Sequence, residues 1–158
     1  MAKIGYVRTS TNKQHTDRQI HELKAHCDDI HIEDGVSARN KNRPIYRQII
    51  SELKEGDELI VISFDRVYRS VIEGLTSLDE LTERGVILRS LSQRFDPTTP
   101  DGRLFFTLTI AVGEWEVGIN TWRTIQGLKA AVKRGKRLGR PPKKSKIKSN
   151  KESTSNHV

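Results

Sequence analysis

Residues 56–70 read GDELIVISFDRVYRS, and the succession of residue types within them decides the fold. Gly56-Asp57 is a turn signal. Glu58–Ser63 (ELIVIS) is dense in Ile, Val and Leu, as in a strand covered on both faces. FDRVYRS then leaves the strand and enters a helix: Ser70 is a suitable cap for an apolar stripe of Val71, Leu75, Leu78 and Leu81 that Gly85 ends. A buried strand handing over to a helix is the repeating unit of an α/β domain.

The same alternation extends both ways. Upstream, Ala2–Arg8 reads as a first strand. Thr16–Cys27 reads as a helix with Ile20, Leu23 and Cys27 at helical spacing, and Ile30–Asp34 as a short strand. Gly35–Arg43 is a polar loop, and Pro44 opens a helix with Ile45, Ile49 and Leu53 on one face. Downstream, Val86–Leu91 is another strand, and Ser92–Gly102, with Pro97, Pro100 and Gly102, reads as loop. The expected architecture is α/β, a mostly parallel central sheet flanked by helices, over residues 1–102.

Beyond Gly102 the character changes. From Arg103 to about Arg134 no proline appears, and Leu104, Leu108, Ala111, Trp115, Ile119, Trp122, Leu128 and Val132 recur at steps of mostly three and four. This predicts a long helix over 103–135, about 50 Å at ~1.5 Å per residue. A stripe that long must be buried somewhere, and a second protein chain is the obvious place. Leu108, Trp115, Ile119 and Trp122 are the expected oligomerisation residues. Gly113, Gly118 and Gly127 weaken the helix, and a two-helix hairpin breaking near Gly118 is the alternative. Residues 136–158, rich in Lys, Pro, Ser and Asn, read as a basic flexible tail.

Charge follows this division. Residues 1–128 hold 17 Lys and Arg against 19 Asp and Glu, whereas residues 129–158 hold 11 against one acid, Glu152. The whole excess of +8 thus sits in the tail, which suits a polyanion such as nucleic acid. No apolar run approaches the ~18–20 residues that cross a bilayer, so no membrane partner is expected. Cys27 is the only cysteine. No internal disulfide can form, a cytoplasmic setting is expected, and Cys27 reads as a small core residue.

Three polar clusters can carry chemistry. Tyr6-Val7-Arg8-Thr9-Ser10, followed by Gln14 and Gln19, lies where the first strand gives way to loop, a favoured place for sites in α/β sheets. Arg8 and Ser10, two apart, project to one side of an extended chain. Asp34, Ser37, Ala38 and Arg43 mark the polar loop; Asp65, Arg66 and Arg69 follow the ELIVIS strand. Arg66 and Arg69, read as one helix start, can offer two guanidinium forks to one phosphate. With Arg8 and Arg43 they make four arginines that could surround a phosphodiester, which is what phosphoryl transfer needs where no metal supplies the charge. His15, His21, His26 and His31 fall at steps of five and six, wrong for one helical face, so no metal site and no cofactor are expected. Taken residue by residue, Arg8 and Ser10 can equally be a surface charge and a cap, and Asp65-Arg66 an ordinary ion pair at a strand end.

Together these segments resemble the serine recombinases, the resolvase and DNA-invertase family, over about residues 2–142. IGYVRTSTNKQHTDRQ is similar to the family's opening motif, whose nucleophilic serine falls on Ser10. DGVSARNKNRP resembles its mobile loop, with Asp34, Ser37 and Arg43 on matching positions. FDRVYRS matches Asp-Arg-x-x-Arg-Ser, which places Asp65, Arg66 and Arg69. GVILRSLSQRFDPTTPDGRLFF resembles the approach to the long oligomerisation helix, and RTIQGLKAAVKRGKRLGRPP its end and linker. The resemblance implies a homodimer on double-stranded DNA, two dimers synapsing as a tetramer, and attack by Ser10 that leaves a 5′-phosphoserine link and a free 3′ hydroxyl. No metal or ATP is needed. Arg8, Arg66 and Arg69 would hold the phosphate with help from Arg43. Tyr6, Asp34, Gln14 and Gln19 would support the site, and Asp65 would be a proton-transfer partner or an arginine orienter.

The chain departs from the family at two places. Where the long helix usually has Glu-Arg it has Glu116-Val117, and where Glu-Arg-Thr is usual it has Trp122-Arg123-Thr124. After Pro142 only 16 residues follow, too few for the family's helix-turn-helix domain. An active site-specific recombinase is the leading expectation, with a bacterium or a mobile element as its setting. A catalytically weakened, dimerising DNA-binding relative of the same fold is the alternative.

Overall fold

The computed structural model describes residues 1–9, 13–34 and 43–139, without the side chains of residues 13–16. The chain divides into two units, Met1–Thr121 and Trp122–Val158. In chain order the elements are β1 (Lys3–Arg8), α1 (Lys13–Lys24), β2 (Asp29–Glu33), α2 (Pro44–Glu52), β3 (Glu58–Val61), α3 (Phe64–Val67), α4 (Val71–Glu83), β4 (Ile87–Ser90) and α5 (Pro100–Lys133).

The four strands form one sheet in the order β2-β1-β3-β4, with every pairing parallel. The register sets Tyr6 beside Val61 and Ile4 beside Leu59, and Leu59 in turn beside Leu88. Side chains alternate across a strand, so Tyr6, Leu59, Val61 and Leu88 enter one core with Tyr46, Ile49, Leu78, Leu81, Phe106 and Ile110. Their neighbours Val7 and Ile60 point the other way and meet Leu23 of α1. That two-sided covering is what the unbroken ELIVIS run implied.

Several boundaries differ from the sequence reading. The helix placed at 16–27 runs from Lys13 to Lys24, and Cys27 lies beyond it, its N–H still bonded to the Leu23 carbonyl. The half-buried Cys27 thiol is pushed up to about 11, by burial and then by Asp28. α5 begins at Pro100 instead of Arg103. Proline lacks an N–H that a first helical turn does not use, and the Thr99 hydroxyl accepts the Gly102 N–H at 3.1 Å. A helix is present across 103–133 without interruption near Gly118. The sequence reading also missed α3, a single turn. It ends at Val67 with an extended Tyr68, so Arg66 and Arg69 do not share a helix. Arg66 belongs to α3, while Arg69 precedes the Ser70 cap of α4, where Ser70 Oγ accepts the Glu73 N–H.

Gly102, Phe106 and Ile110 are the buried residues of α5, four apart on one face. Phe106 meets Phe64 edge-on at 4.9 Å and Tyr68 at 5.7 Å. Ile110 fills the space over Gly74: a Cβ there would lie 2.3 Å from Ile110 Cδ1. In the first unit Leu104, Leu108 and Trp115 are at least half exposed and Ile119 is partly buried; in the second unit Trp122 is exposed.

Candidate functional site

In a parallel sheet all strand C-termini lie on one edge, and β1 runs through the middle of this one. Arg8 ends β1 and Glu33 ends β2 beside it in register. Thr9 is then held at two points: its N–H donates to the Glu33 carbonyl at 3.0 Å, and its hydroxyl to Asp34 Oδ1 at 2.5 Å. The backbone just before Ser10 is thereby clamped. Ser10 and Ser37 lie outside the described residues, as does the side chain of Gln14, whose backbone is in α1. Gln19 is half buried on α1.

Behind this edge lies a buried polar network. The Tyr6 hydroxyl donates to Glu33 Oε2 at 2.5 Å, and Arg43 Nη2 donates to the Tyr6 hydroxyl at 3.0 Å. Arg43 Nη1 donates to Glu73 Oε1 at 2.6 Å, and its Nε lies 3.8 Å from Glu33 Oε2. The Arg43 guanidinium also stacks on Tyr46, with Cζ 4.1 Å from the ring centroid. Burial opposes its charge, but Tyr6 and Glu73 outweigh burial and raise its pKa. Burial, and then the hydrogen bond to Glu33, raise the Tyr6 phenol as well, so it stays a donor. Arg43 is only 4% exposed. It is therefore turned inward rather than gathered with Arg8, Arg66 and Arg69 in an open ring of four.

The front of the edge holds the other cations. Arg8 Nε donates to the Arg66 carbonyl at 2.9 Å, tying β1 to α3. Its remaining N–H groups have no partner among the described residues. Burial, followed by repulsion from Arg69 and Arg43, lowers the Arg8 pKa, so three guanidinium groups share one field. The Arg66 side chain is largely exposed, 3.7 Å from Asp65. Asp65 in turn accepts from the Ser63 hydroxyl, and Gln93 Nε2 donates to Ser63 Oγ at 2.9 Å. The Arg69 N–H donates to Glu73 Oε2 at 3.2 Å. α5 closes on this region: the Val71 N–H donates to Glu114 Oε2 at 3.2 Å, and a Cβ at Gly113 would come within 3.0 Å of Asp65 Cβ.

The sequence reading missed Glu33 and Glu73, and named Thr9 in its first cluster without giving it a role. Only Glu73 carried a signal, the Ser70-x-x-Glu73 spacing of a capping box.

The family described as "Resolvase, N terminal domain" matches residues 3–137. The serine recombinase gin of Escherichia phage Mu is 42% identical over 144 residues, covering 90% of this chain and 74% of that protein. The chain belongs to the serine recombinases, the resolvase and DNA-invertase family. The DNA-invertase of Escherichia phage P1 is 39% identical over 140 residues, covering 89% of this recombinase chain and 75% of its own. The first open reading frame of transposon ISC1904 from Sulfolobus solfataricus P2, a crystal structure, superposes with a TM-score of 0.50 at 16% identity. It covers 86% of this chain and 100% of the other, a likeness of fold alone. No described helix is long and apolar enough to cross a membrane.

Proposed function

We propose that this serine recombinase is an active enzyme that cuts and rejoins double-stranded DNA through Ser10. The observation that carries this reading is the crowding of cations at the end of β1. Arg8 is lowered by burial and by Arg69 and Arg43, and its outer N–H groups have no partner among the described residues. Such an arrangement suits a bound anion, and the anion that matches the family is a DNA phosphate.

Ser10 Oγ attacks phosphorus, the 3′ oxygen leaves with a proton, and the strand stays joined to the protein by a 5′-phosphoserine ester. Attack by a 3′ hydroxyl on that ester reverses the step after strand exchange. Bond energy is conserved, so no ATP is needed, and the arginines supply the positive charge that a metal would otherwise bring. Arg8, Arg66 and Arg69 hold the phosphate; Arg43 supports them from behind through Glu73 and Tyr6. Thr9 and Asp34 fix the backbone that presents Ser10, Gln14 and Gln19 support it from α1, and Asp65 orients Arg66. Leu108, Trp115 and Ile119, with Trp122 beyond them, form the contact for a second copy, and two such dimers form the tetramer that exchanges strands. A DNA substrate is consistent with the cytoplasmic setting expected from the sequence.

The test is to stop a reaction on supercoiled DNA with denaturant and look for protein joined to 5′ ends. Wild type should give the adduct, and Ser10→Ala should lose it with unchanged circular dichroism. An adduct that persists in Ser10→Ala refutes the nucleophile. No adduct from wild type, with DNA binding retained, favours the weakened relative and directs attention to Val117 and Trp122.

A further inference from the structure

Glu73 occupies the third position of α4, three residues after its cap. In a Ser-x-x-Glu box the carboxylate ordinarily turns back to the cap residue's own N–H. Ser70 keeps its half of that exchange, accepting the Glu73 N–H at 3.2 Å. The carboxylate reaches elsewhere: Oε1 accepts from Arg43 Nη1 at 2.6 Å and Oε2 from the Arg69 N–H at 3.2 Å. One side chain therefore joins the residue that follows segment 35–42 to the arginine at the front of the site.

Its location fits that task. The Glu73 side chain is 36% exposed and its Arg43 partner 5%, so the carboxylate stands between the buried network and the open edge. Arg43 also has a second acid near it. Glu33 is held by the Tyr6 hydroxyl and by the Ile45 N–H at 3.3 Å, independently of Glu73. Removing Glu73 takes from Arg43 its 2.6 Å partner, leaving it the Tyr6 hydroxyl and the more distant Glu33, and also frees the backbone N–H of Arg69. A charged hydrogen bond on that N–H is well placed to set where the guanidinium points, because a shift near 1 Å can cost ~100-fold in rate.

We propose that Glu73 is a positioning residue for strand cleavage, fixing Arg69 against Arg43 so that the phosphate meets a preset cation. This rests on the reading of Ser10 as the nucleophile. The experiment uses the full chain as wild type, Glu73→Ala and Glu73→Gln, and measures 5′ adduct formation in a single turnover across DNA concentrations. Amide hydrogen exchange at Arg69, Val71 and Gly74 is followed alongside.

In Glu73→Ala the rate at saturating DNA should fall about 10- to 100-fold, while the half-saturating DNA concentration moves less than about threefold. Glu73→Gln, whose single acceptor oxygen cannot serve both donors as a carboxylate does, should fall between. Exchange at Arg69 should quicken. Gly74, bonded to the Ser70 carbonyl, and Val71, bonded to Glu114, should keep their protection. If Glu73→Ala does not reach the wild-type circular dichroism, Glu73→Gln is judged by the same two readouts. An unchanged saturating rate overturns the proposal, as does a loss that appears only in DNA affinity. A wild type that forms no adduct overturns the Ser10 reading instead, and the proposal with it.

Discussion

The contact between Gly74 and Ile110 can be tested by removing one atom. An alanine Cβ at position 74 would lie 2.3 Å from Ile110 Cδ1, with Phe106 Cε1 next at 3.3 Å and Cζ at 3.5 Å. Gly74→Ala therefore overpacks the seam between α4 and α5, at a cost of about 1–3 kcal/mol. Alanine in place of glycine inside a helix returns up to ~1 kcal/mol, so the variant should be destabilised by roughly 0–3 kcal/mol. Ile110→Val deletes Cδ1, the clashing atom, and alone should cost about 0.5–1.5 kcal/mol. In the double variant the clash is gone while the helix gain remains. Its stability should fall within about 1 kcal/mol of wild type, with a favourable coupling of about 1–3 kcal/mol. Urea unfolding of the four proteins at one protein concentration measures the cycle, since self-association would otherwise move the midpoint. Additivity within about 0.5 kcal/mol would mean that α5 does not rest on Gly74 through Ile110.

Three further outcomes follow from other residues. Arg43→Met should destabilise the fold by about 3–5 kcal/mol, because it removes a buried cation from beside the buried Glu33 carboxylate; a urea-unfolding loss below about 1 kcal/mol would show the network to be solvated. Trp115→Glu should shift sedimentation at micromolar concentration from dimer toward monomer, since a buried aromatic contributes roughly 1.5–3 kcal/mol before association costs; a monomeric wild type would refute the proposed contact. With its thiol at about 11, Cys27 should react with a disulfide reagent at pH 8 far more slowly in the native chain than in urea. Its rate should climb tenfold per pH unit. Because the folded pKa is raised, any stability linked to this thiol is present below about 8.5 and is lost as pH rises toward 11; equal native and unfolded rates would refute the burial.

The sheet was legible because its strands are dense in β-branched residues and are punctuated by Gly56, Gly85 and prolines. Periodicity separates strand from helix but not one apolar helix face from another. Leu104, Leu108 and Trp115 formed the obvious stripe of α5, yet Phe106 and Ile110, on the other side, are the residues that seat it. A one-turn helix such as α3 is too short to show a period at all, which is why Arg66 and Arg69 were read as sharing a helix. The motif residues Tyr6, Arg8, Asp65 and Arg69 were visible as types. What could not be read was direction: Arg43 looks in sequence like an outward phosphate ligand, and Glu33 and Glu73 look like surface acids. Pairing in space turns Arg43 and Glu33 inward and sets Glu73 at the margin beside them.

That inward turn explains how the edge can hold so many cations. Burial, and then repulsion from Arg69 and Arg43, lowers the Arg8 pKa. Glu73 takes up Arg43 with a 2.6 Å charged hydrogen bond, and Glu33 stands farther off at 3.8 Å. Tyr6 supplies a proton that lets Glu33 sit close without a second cation. Charge is thus balanced at the back and left in excess at the front, on Arg8. In the proposed reading, keeping Glu33 and Glu73 on Arg43 and Asp65 beside Arg66 leaves the outer N–H groups of Arg8, at the end of β1, to meet a DNA phosphate.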